Sequence, residues 1–194
     1  MGMHNCVALR IKQYMKRLTA SVIFLLLFIS SAFAQPRSAR EILNEAKAEA
    51  AKENKNVFVI FHASWCGWCH KMDSSMNDPA CKKFFDGNFV IRHLAVMESK
   101  GKEHLQNPGA MALMNKYTAG NSGIPFWLIF NSKGKLLADS KIRPAGASLD
   151  APGTNSGCPA SEAEVANFIQ ILRKTTSLNQ EQLPAIQKRF RQNE

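Results

Sequence analysis

Nothing in this chain is concentrated enough to suggest a nucleic-acid surface, a fibrous repeat or a multi-span membrane protein. Lys and Arg outnumber Asp and Glu by 25 to 15, giving a formal net charge of +10. Past the N-terminus, however, the basic residues are scattered, in nothing longer than pairs such as Lys82-Lys83 and Lys188-Arg189. A nucleic-acid groove calls for a basic stripe interleaved with aromatics, so these charges read as solvated surface. Only 11 Gly and 8 Pro are present, against 45% hydrophobic and 21% charged residues, which excludes collagenous and disordered classes. Cysteine is scarce too. After Cys6 come only Cys66, Cys69, Cys81 and Cys158, too few to staple a domain of this size, which points to redox chemistry or a metal. A zinc site would need Cys66, Cys69 and two of Cys81, His70, His93 and Cys158. With no second C-x-x-C and no H-x-x-x-H, the pattern argues against it and no metal is expected.

One long apolar run exists, Val22 to Ile29. It follows a basic start (Arg10, Lys12, Lys16, Arg17) and precedes the small residues of Ala32-Phe33-Ala34. This pattern predicts a secretory signal over residues 1–34, cleaved after Ala34. The uncharged stretch from Leu18 to Pro36 ends in polar residues and proline, whereas a membrane span needs about 20 mostly apolar residues. No span is therefore expected after cleavage, and no cysteine directly follows the run to carry a lipid. Residues 35–194 are expected to be a single exported domain, periplasmic or secreted, large enough for a real core and able to keep a disulfide.

Ser38-Ala39-Arg40-Glu41 reads as a capping box, followed by Ile42, Leu43, Ala46 and Ala50 at helical spacing, which predicts a helix to about Glu53. Val57 to Phe61 is short, β-branched and apolar on both faces, as in a buried strand. The period becomes helical at Trp65 to Met72. Asp78-Pro79 predicts the start of a short helix carrying Cys81, Phe84 and Phe85. Phe89 to Val96 reads as a strand, and Asn107-Pro108 opens a helix whose Met111, Leu113, Met114 and Tyr117 are core. Phe126 to Phe130, a turn at Asn131 to Gly134 and Lys135 to Ala138 form a hairpin. Residues 141–160 read as irregular. A second capping box, Ser161 to Glu164, precedes Val165, Phe168, Ile169 and Leu172, and an amphipathic segment runs from Gln180 to Arg191 with Pro184 near its first turn.

Chemistry concentrates at Cys66-Gly67-Trp68-Cys69, at the seam between a buried strand and a helix start. In a first helical turn Cys66 meets unpaired amides and the positive dipole end, which favour a thiolate. The three-residue step returns Cys69 to the same face, within bonding range. One thiolate can attack a disulfide and the other can resolve the mixed disulfide.

Val57-Phe58-Val59-Ile60-Phe61-His62-Ala63-Ser64-Trp65-Cys66-Gly67-Trp68-Cys69 resembles the central strand and active site of thioredoxins. With Lys71-Met72-Asp73 it is more closely similar to exported thioredoxin-like proteins of the thiol:disulfide interchange group. The resemblance covers roughly Ser38 to Lys174. It implies an α/β thioredoxin fold, a central mixed sheet flanked by helices, with residues 175–194 as an extra C-terminal helical segment. It further implies a protein-disulfide oxidoreductase with Cys66 as nucleophile, Cys69 as resolver and no cofactor beyond their disulfide. Its partners would be client proteins and an external redox partner that recycles the dithiol. Ile124-Pro125 falls where the family has its cis-proline, whose preceding backbone pairs with extended substrate; Trp65, Gly67 and Trp68 would complete the client contacts.

Two departures stand out. The family usually carries a buried Asp where this chain has Ile60, which cannot accept a proton, so Asp73, one helical turn on from Cys69, is the candidate relay. Gly67-Trp68 replaces the Gly-Pro of thioredoxins and the Pro-His of strong oxidants, so the potential is expected to be milder than an oxidant's. Cys66-Gly67-Trp68-Cys69-His70 is also a literal c-type haem attachment motif, but its place after a buried strand in an α/β chain favours the dithiol. A chaperone or binding module with a structural disulfide is the non-enzymatic alternative. His62 and His70 could be packing or could help hold a thiolate. Cys81 reads as a small buried hydrophobe, and Cys158 sits on a long loop; spacing leaves a Cys81–Cys158 bridge open.

Overall fold

The apolar run after Asn56 becomes the middle of a four-stranded sheet. In the computed structural model, which describes residues 14–17, 35–179 and 181–194, the chain runs α1 (Ala39–Glu53), β1 (Asn56–His62), α2 (Gly67–Met76), α3 (Lys82–Asn88) and β2 (Phe89–Ala95). There follow α4 (Ala110–Thr118), β3 (Phe126–Phe130), β4 (Leu136–Asp139), β5 (Lys141–Ile142), β6 (Thr154–Asn155), α5 (Glu162–Thr175) and α6 (Leu183–Arg191). The expected leader lies outside the described residues, apart from a helical turn at 14–17. Among the described residues no helix is long and apolar enough to cross a membrane.

The strand order is β2-β1-β3-β4, with β1 parallel to β2 and antiparallel to β3. Alternation in β1 divides the core in two. Val57, Val59 and Phe61 join Ala46 and Ala50 of α1 and Met114 of α4 on one face. Phe58 and Ile60 join Met72 of α2, Phe85 of α3, Trp127 of β3 and Phe168 of α5 on the other. β1 is thus covered on both sides, as its unbroken apolar run requires. This is the expected mixed sheet flanked by helices, a thioredoxin fold. The C-terminal helical segment also contributes: α6 buries Leu183, Ile186 and Phe190 in the same cluster as Phe58 and Trp127, with Phe190 5.0 Å from Phe168. Each such side chain contributes about 1.5–3 kcal/mol when fully buried.

Both capping boxes form, at Ser38/Glu41 and Ser161/Glu164. Four local expectations need correcting. Asp78-Pro79 does not begin the helix: the Asp78 carboxylate and carbonyl accept from Ala80, Cys81 and Lys82 amides in a separate turn, so α3 starts at Lys82. Asn107 likewise does not cap α4, which follows a left-handed Gly109. Its side chain instead takes the Ala95 amide and donates to the Arg37 carbonyl, tying the end of β2 to the residue before α1's cap. Residues 141–160 are not wholly irregular, because β5 and β6 pair antiparallel as a small second sheet. The last helix starts at Leu183 rather than Gln180, which lies outside the described residues.

Candidate functional site: a dithiol at the head of α2

β1 delivers the chain to Ala63, fully buried, whose carbonyl accepts the Cys66 amide at 3.0 Å. Cys66 then stands as the N-cap of α2. Its Sγ accepts the Cys69 amide at 3.1 Å, and its carbonyl accepts from Cys69 and His70. Cys66 and Cys69 are disulfide-bonded, with Cα atoms 5.2 Å apart, and are 3% and 1% exposed. The Ile124–Pro125 peptide is cis, and the Ile124 carbonyl oxygen lies 3.7 Å from Cys66 Sγ. Ile124 packs with Ala63 and the two cysteines in a small cluster of its own.

Trp65 and Trp68 are large apolar side chains left in solvent, 56% and 47% exposed. They point to different supports. Trp65 Nε1 donates to the Met97 carbonyl at 2.8 Å, and the neighbouring Ser64 gives its amide and hydroxyl to the Glu98 carboxylate, each at 2.7 Å. Trp68 carries the Lys71 ammonium over its ring at 4.2 Å, a cation–π contact. Trp68 also borders a cleft of about 290 Å3, shared with Ile124, Pro125, Asn155, Gly157 and Cys158. Gly67, the first residue of α2, has open space where a side chain would begin.

Asp73 lies on α2, but its carboxylate is taken: Oδ1 is 2.7 Å from His93 Nε2. His93 is the register partner of Ile60 on the same sheet face, and its ring is 5.1 Å from that of His62. Burial, then the neighbouring His93, pushes the His62 pKa below its usual value, with Asp73 and Glu98 opposing. His70 turns away, Nε2 3.0 Å from the Ser64 carbonyl oxygen. The structure therefore brings Cys66, Cys69, Trp68, Ile124 and Pro125 together, and places Asp73 in a histidine cluster on the α2 side of the sheet. Asn155 was not singled out from sequence, and His93 was weighed only as a zinc ligand, not as a partner of Asp73. His93 had a faint signal, a titratable residue at alternate spacing with Phe89 and Ile91, whereas Asn155 in a Gly- and Ser-rich stretch had none.

Cys81 and Cys158 are free and buried, with no bridge between them. Cys81 caps α3 and faces the Ala185 carbonyl of α6; Cys158 receives the Asn193 side-chain amide at 3.4 Å. Among the described residues no group of three or more His, Cys, Asp or Glu side chains is placed to hold a metal.

Residues 39–132 match the family model described as thioredoxin-like. No curated protein matches the chain. Solved structures similar to it include a disulphide isomerase from Xylella fastidiosa, at 21% identity over 56% of this chain and 80% of that one, with a TM-score of 0.43. A DsbH oxidoreductase is 21% identical over 75% and 88%, with a TM-score of 0.36. The germline-specific thioredoxin Deadhead from Drosophila melanogaster is 18% identical over 72% and 99%, with a TM-score of 0.36.

Burial, the largest cause in each case, pushes the Cys81 thiol up to about 11 and the Cys158 thiol up to about 12. At pH 8 both are protonated, and the thiol form is a poor nucleophile. Iodoacetamide at pH 8, without reductant, should leave both unlabelled in folded protein and label both after denaturation, as read by peptide mass spectrometry.

Proposed function

We propose, from the premise that residues 39–132 are thioredoxin-like, that the chain is a thiol–disulfide oxidoreductase acting on client proteins outside the cytoplasm. One observation carries this: the Cys66–Cys69 bond at the head of α2, with the Cys69 amide on Cys66 Sγ and the Ile124 backbone beside it. In the reduced dithiol, that amide and the positive end of α2 hold negative charge on Cys66. The Cys66 thiolate attacks one sulfur of a client disulfide; that S–S bond breaks, a client thiolate leaves and a mixed disulfide forms. Cys69 loses its proton and attacks Cys66 Sγ, and the second client sulfur leaves as a thiolate. The client gains two electrons, and the protein ends in its bonded form. An external redox partner returns the electrons by the same exchange, so the cycle needs no cofactor beyond the disulfide.

Trp65 and Trp68 supply the exposed apolar surface for clients, and the Gly67 amide stretch and Ile124–Pro125 edge supply backbone. The exported setting is supported by the basic start, apolar run and Ala32-Phe33-Ala34 of residues 1–34. With Gly67-Trp68 between the cysteines, the role is reduction or reshuffling of client disulfides.

Deprotonating Cys69 is the step this chain must solve in its own way. Ile60 offers no acceptor, and Asp73, His93 and His62 cluster on that face of the sheet. Asp73 stands one helical turn from Cys69 and shares a hydrogen bond with His93, so the proton passes to the Asp73–His93 pair rather than to a lone carboxylate. Burial, with His93 beside it, lowers the His62 pKa and so disfavours its charged form.

Cys69→Ser should accumulate mixed disulfides with client proteins on non-reducing gels, and Cys66→Ser should not. If neither traps a partner and wild type leaves insulin disulfides intact, the binding-module reading replaces this one. Equilibration with glutathione should give a potential nearer the roughly −270 mV of thioredoxin than the roughly −120 mV of strong oxidants, and a value above about −150 mV would reverse the assigned direction. Asp73→Asn should slow mixed-disulfide release near neutral pH, with the defect shrinking as pH rises and Cys69 ionises unaided. An unchanged pH–rate profile leaves water as the acceptor.

A further inference from the structure

The segment between β4 and α5 is held against the cis-proline loop by a chain of side-chain contacts. Asp139, at the end of β4, takes a two-pronged bond from Arg143, Nη1 to Oδ1 and Nη2 to Oδ2, each at 2.7 Å, with side chains 2% and 8% exposed. Arg143 in turn gathers the carbonyls of Leu149 and Ala151, which returns the chain to β6 beside β5. At the end of β6 lies Asn155. Its Oδ1 accepts from the Ser140 hydroxyl at 2.6 Å and the Gly157 amide at 3.0 Å, and its Nδ2 donates to the carbonyls of Gly123 at 3.0 Å and Pro125 at 3.1 Å. A side-chain amide has two donors and two acceptor lone pairs, so all its bonding capacity joins three segments. Gly157 then presses on the proline: a Cβ there would lie 3.3 Å from the Pro125 carbonyl oxygen, at a φ of +57° that favours glycine. Trp127 Nε1 holds the Gly157 carbonyl from beneath at 2.9 Å.

These contacts build the 290 Å3 cleft, in which Pro125 and the Asn155–Cys158 segment form two walls and Trp68 a third. We propose that Asn155 is a positioning residue: it fixes the Gly123–Pro125 backbone and the 155–158 wall in one geometry, so that the client side chain next to the attacked cysteine is seated in this cleft. The proposal rests on the oxidoreductase reading and adds to it a specificity element outside the dithiol. Asn155 touches neither cysteine and leaves the cysteines' bonding and the Cys69-to-Cys66 hydrogen bond untouched. Its effect therefore falls chiefly on the binding of large clients, reaching the sulfur only through the Ile124 carbonyl beside Cys66.

Asn155→Asp tests this with little change of shape. A carboxylate still accepts from Ser140 and Gly157 but donates nothing to Gly123 and Pro125. Losing these two hydrogen bonds, one exposed and one half-buried, and setting a carboxylate oxygen against the two carbonyls predicts a fall in kcat/KM for insulin of about tenfold, carried by KM. The rate with the small disulfide 5,5′-dithiobis(2-nitrobenzoate) should fall by much less than the insulin value, and the glutathione-equilibrated potential should stay close to that of wild type. An unchanged KM for insulin overturns the proposal, as does an equal loss on the small disulfide, because that would place the damage at the dithiol. If Asn155→Asp fails to fold, Gly157→Ala displaces the same wall through its Cβ. It should raise the insulin KM alone, and an unchanged KM there overturns the proposal equally. A wild-type protein inert toward both insulin and the small disulfide sinks the oxidoreductase reading itself, and the role of Asn155 with it.

Discussion

At the head of α2 a sulfur atom takes the place usually filled by a serine or aspartate oxygen. Cys66 Sγ accepts an amide that the helix would otherwise leave unpaired. Much else in the structure serves to hold that atom still. β1, buried on both faces, fixes where the chain arrives; Ala63 fixes the turn; Met72 and Met76 anchor α2 against the sheet. The exposed features around it are secured from behind, Trp65 by the Met97 carbonyl and Ser64 by Glu98. A rigid approach to one sulfur lets the two exposed tryptophans be presented without loosening the Cys66–Cys69 pair.

What sequence revealed depended on whether a signal was local. The two capping boxes, the buried strand and the C-x-x-C at its end each consist of a few consecutive residues with strict spacing, and each was legible. Asp78-Pro79 and Asn107-Pro108 carried the right residue types for helix starts, but their side chains found other work: one folds a turn, the other ties a strand end to the residue before α1's cap. β5 and β6 are two residues each, too short for alternation to show. Asn155 and His93 acquire meaning only from partners brought in by the fold, Pro125 in one case and Asp73 in the other. No pattern along the chain encodes such a meeting.

The Asp139–Arg143 pair shows the same separation of stability from specification. Two charges this buried contribute little net stability over apolar residues of similar size, although removing either partner strands the other. Their geometry, with Arg143 also gathering Leu149 and Ala151, sets the path of a loop whose residues 144–150 all stay exposed. The small second sheet, and through it the wall opposite Pro125, inherits that path.

The penultimate residue bears on how the chain comes together. Asn193 is 4% exposed; its carbonyl receives Lys71 Nζ and its side chain receives the Ser75 hydroxyl, across 122 and 118 residues of sequence. Closing such long loops is entropically costly, whereas a three-residue closure is not. The same side chain covers Cys158. Cys66 and Cys69, three residues apart, can therefore find one another without the far end of the chain, while Cys158 is covered only where that end docks. In the finished structure the three-residue spacing of Cys66 and Cys69 and the Asn193 cover over Cys158 both favour this one pairing.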